Sequence, residues 1–222
     1  MSGDSGVLAI DGPAGAGKST VARGAAVRLG LQVLDTGAMY RAATLACLRA
    51  GVDLDDEARC AAVARAIRIE QEGEQTRVDG VDVSREIRSP EVTATVSTVS
   101  AHPTVRRIMV DHQRRWAAGR DGGVVEGRDI GTVVFPDARL KIFLNASDEE
   151  RARRRLQDEA AAGRDIALDA LRADIERRDR VDSQRPYSPL AAAADAVIID
   201  TTGRPVEEVV DEIVERYLKV TT

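Results

Sequence analysis

Five short apolar runs are separated along the chain by segments with the periodicity of helices. The runs cover residues 7–10, 31–34, 123–126, 140–144 and 196–199. A short, continuous apolar run is typical of a strand that is buried on both faces. Strands that alternate with helices favour a parallel sheet with helices on both sides. The pattern therefore predicts an α/β fold built on a doubly wound, five-stranded parallel sheet.

The segment from about residue 61 to 119 has a different pattern. Apolar and polar residues alternate over 67–72, and Asp79-Gly80 between two apolar stretches is a strong hairpin signal. Helical patterns then cover 90–119, with a break expected at His102-Pro103. We expect a small antiparallel β insertion inside the parallel fold.

A glycine-rich stretch lies between the first apolar run and a helical pattern that stops at Gly30. It matches G-x-x-x-x-G-K-[ST] in full, with the residues Gly12, Pro13, Ala14, Gly15, Ala16, Gly17, Lys18 and Ser19. Strand, glycine loop and helix in this order favour a phosphate-binding loop, in which main-chain amides surround phosphate oxygens. Lys18 would place its charge at the β- and γ-phosphates of ATP, and the Ser19 hydroxyl would bind Mg²⁺. Residues 12–20, ending at Thr20, are the predicted site of the ATP phosphates.

Charge and composition limit the classes of partner. The net charge is −5 and aromatic residues are 3% of the chain, which argues against nucleic-acid binding. Two cysteines and two histidines are too few for a disulfide framework or a His-based metal cluster. No apolar run has the length of a membrane span, and the N-terminus, Met1-Ser2-Gly3-Asp4, lacks the basic and apolar regions of a signal peptide. We expect a cytoplasmic protein that binds neither nucleic acid nor membranes.

Arginines near strand ends and glycine breaks predict a second anion site. Of the 32 basic residues 29 are arginine, the residue suited to forked contacts with phosphate oxygens. Four arginines together would bind one phosphate monoester strongly, namely Arg41, Arg106, Arg178 and Arg185. A single arginine is more often a solvated surface residue, but the positions of these four near strand ends and glycine breaks favour the anion site.

A third arginine group follows Ser147-Asp148-Glu149-Glu150, which has the pattern of a helix capping box. Arg151, Arg154 and Arg155 have spacings of three and four, which place them on one face of the predicted helix. They would close over the donor phosphates, or pair with neighbouring acidic residues on a solvated face.

Three blocks of the sequence resemble the bacterial cytidylate (CMP) kinase family. They are Asp35-Thr36-Gly37-Ala38-Met39-Tyr40-Arg41, the long Glu126-Gly127-Arg128-Asp129-Ile130-Gly131-Thr132-Val133-Val134-Phe135-Pro136-Asp137-Ala138, and Arg178-Asp179 through Arg185. The resemblance implies one nucleoside monophosphate kinase domain over residues 1–222, with a core (about 1–60, 120–147 and 190–222), a monophosphate-binding insertion (about 61–119) and a helical lid (about 148–170). It also implies Mg²⁺-dependent phosphoryl transfer from ATP to CMP or dCMP.

The resemblance further implies the roles of individual residues. The catalytic group would be Lys18, Arg128, Arg154 and Arg155. The group that binds CMP would be Thr36, Tyr40, Arg41, Ser97, Arg106, Arg128, Asp129, Arg178, Asp182 and Arg185. Ser19 would bind Mg²⁺ directly, and Asp35 and Glu126 would lie behind its water ligands. Because the acceptor oxygen is already anionic, no general base is needed.

Two alternatives remain open at this point. One is a kinase of another small acceptor, such as UMP, AMP or shikimate; the other is a nucleotide-dependent binding module without rapid turnover. A GTPase is disfavoured because the sequence has no N-K-x-D motif to read guanine. We expect a monomer whose partners are the nucleotides ATP and CMP or dCMP.

Overall fold

The computed structural model describes residues 6–161 and 163–221. The expectation about Met1 to Asp4 therefore lies outside the described residues. Eight strands are described: β1 Val7–Asp11, β2 Val33–Asp35, β3 Ile69–Glu72, β4 Gln75–Val78, β5 Val81–Asp82, β6 Gly123–Gly127, β7 Leu140–Asn145 and β8 Val197–Asp200. Eight α-helices are described with them: α1 Lys18–Leu29, α2 Thr36–Arg49, α3 Glu57–Ala66, α4 Pro90–Ala101, α5 Pro103–Ala118, α6 Asp148–Ala161, α7 Leu168–Gln184 and α8 Val206–Lys219.

The larger sheet has five strands in the order β2-β6-β1-β7-β8. Strand β1 is central and pairs in parallel with β6 and β7, and β7 pairs in parallel with β8. Asp11 is in register with Gly127 and with Phe143, so the carboxyl ends of these three strands meet at one edge. The α/β class and the five-stranded parallel sheet are confirmed.

An aliphatic core holds these strands in place. Val7, Leu8 and Ile10 are fully buried, as are Val124 and Leu144 on the neighbouring strands. Burying a side chain of this size stabilises the fold by roughly 1.5–3 kcal/mol. The loops at the carboxyl edge therefore start from a rigid base.

The chain divides into two compact units, Met1–Gln32 with Gly122–Thr222, and Val33–Asp121. The second unit contains the small sheet, whose strands run antiparallel in the order β3-β4-β5. Asp79 and Gly80 both have positive φ (51° and 82°), as a two-residue hairpin turn of the primed type requires. The antiparallel insertion and its turn are confirmed, and the helical break falls at His102 as expected.

The predicted capping box at the start of α6 is only half formed, because Glu150 does not accept the Ser147 amide. The Ser147 hydroxyl does accept a hydrogen bond from the Glu150 amide (3.2 Å). The Ser147 amide, however, donates to the Thr202 hydroxyl (2.9 Å). The Glu150 carboxylate binds Arg153 and Arg154 instead of returning to Ser147. The cap therefore joins α6 to the segment after β8.

One strand begins and ends later in the sequence than predicted. The strand expected at 31–34 is Val33–Asp35, and helix α2 begins directly after it because the Asp35 carboxylate accepts from the Ala38 amide (2.8 Å). Helix α6 is described as far as Ala161, close to the end expected near Gly163. Among the helices of the described residues, none combines the length and apolar character needed to cross a membrane.

Candidate active site

The glycine loop connects the central strand β1 to helix α1 in the way the motif predicts. Gly12 has φ +150°, and a Cβ there would lie 2.2 Å from the Leu144 carbonyl oxygen on β7, so only glycine fits. Gly17 has φ +88° and precedes the first residue of α1. In the described residues no side chain caps this helix, and its first turn carries no acidic residue. The free amides at its N-terminus favour an anion.

Lys18 is a buried cation within the loop. Its Nζ donates to the Pro13 carbonyl oxygen (2.7 Å) across the loop. Burial and the nearby Arg128 lower the pKa of Lys18 to about 7, against the opposing effect of Glu126 and Asp11. A phosphate group in the loop would favour the charged form.

The carboxyl ends of β1 and β6 place three acidic side chains together, and all three are buried. Asp11 accepts the amides of Ile130 and Gly131, both at 2.8 Å. These amides begin a short π-helical segment, Ile130–Val134, and Asp129 is the residue immediately before it. Burial raises the pKa of Asp11 to about 6, and Asp129 contributes to the rise. The third acid, Glu126, is in register with Ile10.

Arg128 and α7 form an arginine-rich cluster around one carboxylate. Arg128 Nε donates to Asp182 Oδ2 (2.8 Å), and an Arg185 nitrogen lies 3.6 Å from Asp182 Oδ1. Burial opposes ionisation of Asp182, but these two arginines outweigh it and lower its pKa. Burial and Arg128 lower the pKa of Arg178, so the cluster brings several cations close together. Such an arrangement suits an anionic ligand.

The predicted lid arginines have different environments. Arg154 donates to the Thr201 hydroxyl (2.9 Å), to the Thr201 carbonyl (2.7 Å) and to Glu150 (2.8 Å). One of its terminal nitrogens would lie 3.3 Å from a Cβ on Gly17, which places it beside the loop. Arg155 pairs with Glu159 of its own helix (2.6 Å). Of the two, Arg154 is next to the glycine loop.

In the second unit, the contacts of Arg41 include one side chain and one main-chain carbonyl. Its guanidinium donates to the Thr93 hydroxyl (2.8 Å) and to the Ile87 carbonyl (3.1 Å). Thr93 lies on α4 and Arg41 on α2, so the contact fixes the arginine between two helices.

Arg106 is buried near the start of α5 and lies over the ring of Tyr40, 5.2 Å from its centroid. It donates to the Ser100 carbonyl (3.2 Å), and the Ser100 hydroxyl donates to the carbonyl of buried Ser97 (3.3 Å). Four of the residues expected to bind CMP thus lie in this unit together with Arg41: Thr36, Tyr40, Ser97 and Arg106.

Asp35 has a structural role that its sequence position only partly indicates. Its carboxylate caps α2, while its main-chain amide and carbonyl both bind the Gln71 side chain (3.0 and 2.7 Å). The contact joins the end of β2 to β3 of the small sheet. Gln71 was missed because one amide in an alternating strand has no distinctive pattern.

Thr93, Thr201 and Asp179 were missed as well. Each of them binds a group that is far away in the sequence. The Thr93 hydroxyl accepts from the Arg41 guanidinium, the Thr201 hydroxyl donates to the Ala16 carbonyl, and the Asp179 carboxylate accepts from the Ala14 amide. Only Asp179 carried a signal, since it follows Arg178 within a motif block.

The oxygen donors available in the loop suit Mg²⁺. Ser19 is half-buried in the first turn of α1, and Glu126 is a buried carboxylate at the end of a neighbouring strand. Within the described residues, no group of three or more His, Cys, Asp or Glu residues is placed to hold a metal ion. Mg²⁺ commonly takes few protein oxygens and keeps water and substrate phosphates as its other ligands. The hydroxyl of Ser19 and the carboxylate of Glu126 are oxygen donors of this kind.

Comparison with known proteins gives consistent relatives. The model of the family described as "Cytidylate kinase" matches residues 8–219. A cytidylate kinase of Desulfitobacterium hafniense (strain Y51) is 50% identical over 213 residues, which are 95% of this chain and 91% of that protein. A cytidylate kinase of Mycolicibacterium paratuberculosis is 51% identical over 211 residues, 93% of this chain and 92% of that protein.

A solved structure, a gluconokinase from Sinorhizobium meliloti 1021, is also similar. It has a TM-score of 0.50 and 15% identity, and the match covers 97% of this chain and 93% of that one. At this identity the likeness shows the fold alone.

Proposed function

Because this chain belongs to the cytidylate kinase family, we propose that it transfers the γ-phosphoryl group of ATP to CMP or dCMP, giving ADP and CDP or dCDP. The protein is a kinase, and CMP is the acceptor that its relatives' name specifies. The family match over residues 8–219 is the observation that carries this assignment.

The donor phosphates of ATP would bind to the amides of residues 12–20 and to Lys18. Phosphoryl transfer needs alignment of two anions and stabilisation of the charge on the moving group. An oxygen of the acceptor phosphate forms the new bond to the γ-phosphorus as the bond to the β,γ-bridging oxygen breaks, and ADP takes the electron pair. The buried ammonium of Lys18 and the amides at the start of α1 would stabilise this charge. We assign Arg128, Arg154 and Arg155 to the same task.

Mg²⁺, when bound, would neutralise part of the phosphate charge. Ser19 would hold it, and Asp35 and Glu126 would orient its water ligands. The donor chemistry of Ser19 and Glu126 supports this assignment.

We propose that the acceptor binds to two groups of residues. In the first unit these are Arg128, Asp129, Arg178, Asp182 and Arg185. In the second they are Thr36, Tyr40, Arg41, Ser97 and Arg106. The buried carboxylate of Asp129 would accept from the amino group of cytosine and repel the O4 of uracil, which gives the choice of base.

The further proposals concern organisation. We propose a single kinase domain with a core, a monophosphate-binding insertion and a lid, acting as a cytoplasmic monomer. Small-angle scattering with and without nucleotides would measure how the core, insertion and lid are oriented. Light scattering would measure the molecular mass and so test whether the protein is a monomer.

The function is tested by measuring ADP release with ATP and Mg²⁺ across a panel of acceptors: CMP, dCMP, UMP, AMP and shikimate. We expect CMP and dCMP to have the highest kcat/KM. Preference for another acceptor would contradict the choice of substrate. Binding of CMP without ADP release would instead support a binding module, so the two alternatives give different results.

A further inference from the structure

One residue of the glycine loop has both of its main-chain polar groups bound by the same ion pair. The Ala14 amide donates to Asp179 Oδ1 (3.0 Å), and the Ala14 carbonyl accepts from an Arg151 terminal nitrogen (2.9 Å). The same Arg151 nitrogen donates to the other oxygen of Asp179. Ala14, Arg151 and Asp179 therefore form a closed ring of hydrogen bonds, and we call the two side chains the loop clamp.

The loop clamp is shielded from water. The side chain of Arg151 is 7% exposed and that of Asp179 is 17% exposed. Asp148 binds the other terminal nitrogen of Arg151 (2.6 Å). Both terminal nitrogens of Arg151 are hydrogen-bonded, while its buried Nε has no hydrogen-bond partner among the described residues. A buried charge pair bonded through these terminal nitrogens holds its geometry, whereas an exposed pair contributes little. The clamp thus belongs to the rigid part of the site.

Packing next to the clamp is also close. A Cβ on Gly15 would lie 3.0 Å from both the Cβ and the carbonyl oxygen of Arg151. The loop therefore rests directly on the first turn of α6. Since Asp179 lies on α7, the clamp connects the loop to two helices at once.

Asp179 also acts on the cations of the site through its charge. Its carboxylate raises the pKa of Lys18, opposing the larger effect of burial. It raises the pKa of Arg128 in the same way. Removing the carboxylate would thus change both the shape of the loop and the charges around it.

We propose that Asp179 is a positioning residue for the donor nucleotide, which acts through the Ala14 peptide and Arg151 to hold the glycine loop in its phosphate-binding shape. The proposal rests on the proposed function, because it assumes that the loop binds ATP. The amides after Ala14 then face the phosphates before ATP arrives, and the ordering is not repeated in each binding event. Losing the clamp should weaken ATP binding more than CMP binding.

The test measures ATP binding directly, in the absence of any acceptor. Titration calorimetry with Mg²⁺ and ATP is carried out on the wild type, Asp179→Asn, Asp179→Ala and the control Arg177→Gln. Arg177 lies two positions away on α7 and makes an exposed pair with Asp174 (2.6 Å). We expect about a tenfold higher Kd for ATP in Asp179→Ala, a smaller rise in Asp179→Asn, which keeps one oxygen for the Ala14 amide, and no change in Arg177→Gln.

Steady-state kinetics give the second measurement, with unfolding curves to show that each variant is folded. The KM for ATP should rise in Asp179→Ala while the KM for CMP stays within about twofold. Unchanged ATP affinity in a folded Asp179→Ala would overturn the proposal, and so would an equal loss for ATP and CMP. If the wild type prefers an acceptor other than CMP or dCMP, the proposed function is contradicted, but the ATP titration still tests the role of Asp179.

A double-mutant cycle separates the coupling between Arg151 and Asp179 from the effect of each residue alone. Arg151→Gln, Asp179→Asn and the double variant are titrated with ATP under the same conditions. If the ring acts as a unit, the double variant loses clearly less than the product of the two single losses. Independent, multiplying losses would show that the two residues do not act through the shared Ala14 peptide.

Discussion

Asp11 and Ile130 are joined by a 2.8 Å hydrogen bond between the Asp11 carboxylate and the Ile130 amide, although 119 residues separate them in the sequence. The second oxygen of Asp11 accepts the Gly131 amide at the same distance. Asp11 ends the strand that leads into the glycine loop, and Ile130 follows Asp129, our candidate for base recognition. One buried carboxylate therefore fixes the start of both segments relative to each other.

Asp11→Asn should destabilise the protein. An amide side chain has one oxygen, so its NH₂ group would face one of the two main-chain amides and leave it unsatisfied. The loss is expected to be about 1–3 kcal/mol in the free energy of unfolding, as measured by urea denaturation. Asp121→Asn, which changes an exposed carboxylate, is the control.

The destabilisation should also depend on pH. Burial raises the pKa of Asp11 to about 6, so the folded protein binds this proton more tightly than the unfolded chain. The contribution of Asp11 to stability is then complete below about pH 4 and decreases as the pH rises to 6. The difference between wild type and variant in the free energy of unfolding should therefore be smaller at pH 6 than at pH 4. A gap that widens with pH would contradict the assignment.

Lys18→Met should remove activity without weakening the fold. The lysine is buried and its pKa is lowered to about 7, which means that its charge is unfavourable there until phosphate binds. We expect kcat to fall by about a hundredfold or more, while the unfolding temperature without nucleotide stays equal or rises. Lys219→Met, on an exposed pair with Glu215, should change neither quantity. A lower unfolding temperature in Lys18→Met would show that the charge stabilises the empty loop.

The fold and the loop were predictable because their signals are local. The strand Val7–Asp11 begins with an unbroken apolar run over residues 7–10, and the glycine motif follows the strand immediately. The hairpin at Asp79-Gly80 was also encoded in two adjacent residues whose backbone conformation few other pairs adopt.

The contacts that hold the site could not be derived in this way. Asp179 binds the Ala14 amide across 165 positions, and no periodicity relates the two residues. The capping box failed for a related reason: Glu150 had arginine partners on its own helix, and Thr202 took the Ser147 amide. Local sequence patterns identify the polar groups that need hydrogen bonds, but the partner of each group depends on the tertiary fold.

Asp129→Ala should remove the preference for CMP over UMP. Cytosine offers an amino group where uracil offers an oxygen, and a buried carboxylate distinguishes the two. The ratio of kcat/KM for CMP to that for UMP is expected to fall by about tenfold or more. Asp137→Asn, an exposed residue of the same segment, is the control. An unchanged ratio would exclude Asp129 as the base-reading residue.

Arg154→Ala should reduce turnover, whereas Arg153→Ala should not. Both arginines pair with Glu150, but only Arg154 also binds Thr201 and lies beside Gly17. Removing a cation beside the loop that we propose binds the donor phosphates is expected to lower kcat about tenfold or more. If the two variants lower kcat equally, Arg154 acts only as a residue of the helix surface that pairs with Glu150.

Thr93→Val should weaken CMP binding through Arg41. The Thr93 hydroxyl accepts from the Arg41 guanidinium (2.8 Å), and valine has the same shape without the acceptor. Arg41 would keep its bond to the Ile87 carbonyl but lose one of the bonds that fix its direction, so a site that relies on that direction would lose affinity. We expect the KM for CMP to rise about fivefold, with the KM for ATP unchanged. Thr95→Val is the matched control, because Thr95 lies on the same helix and its hydroxyl donates to the Glu91 carbonyl of that helix (2.8 Å). If both variants raise the KM for CMP equally, helix α4 acts as a whole. If neither does, Arg41 does not depend on Thr93 for its position.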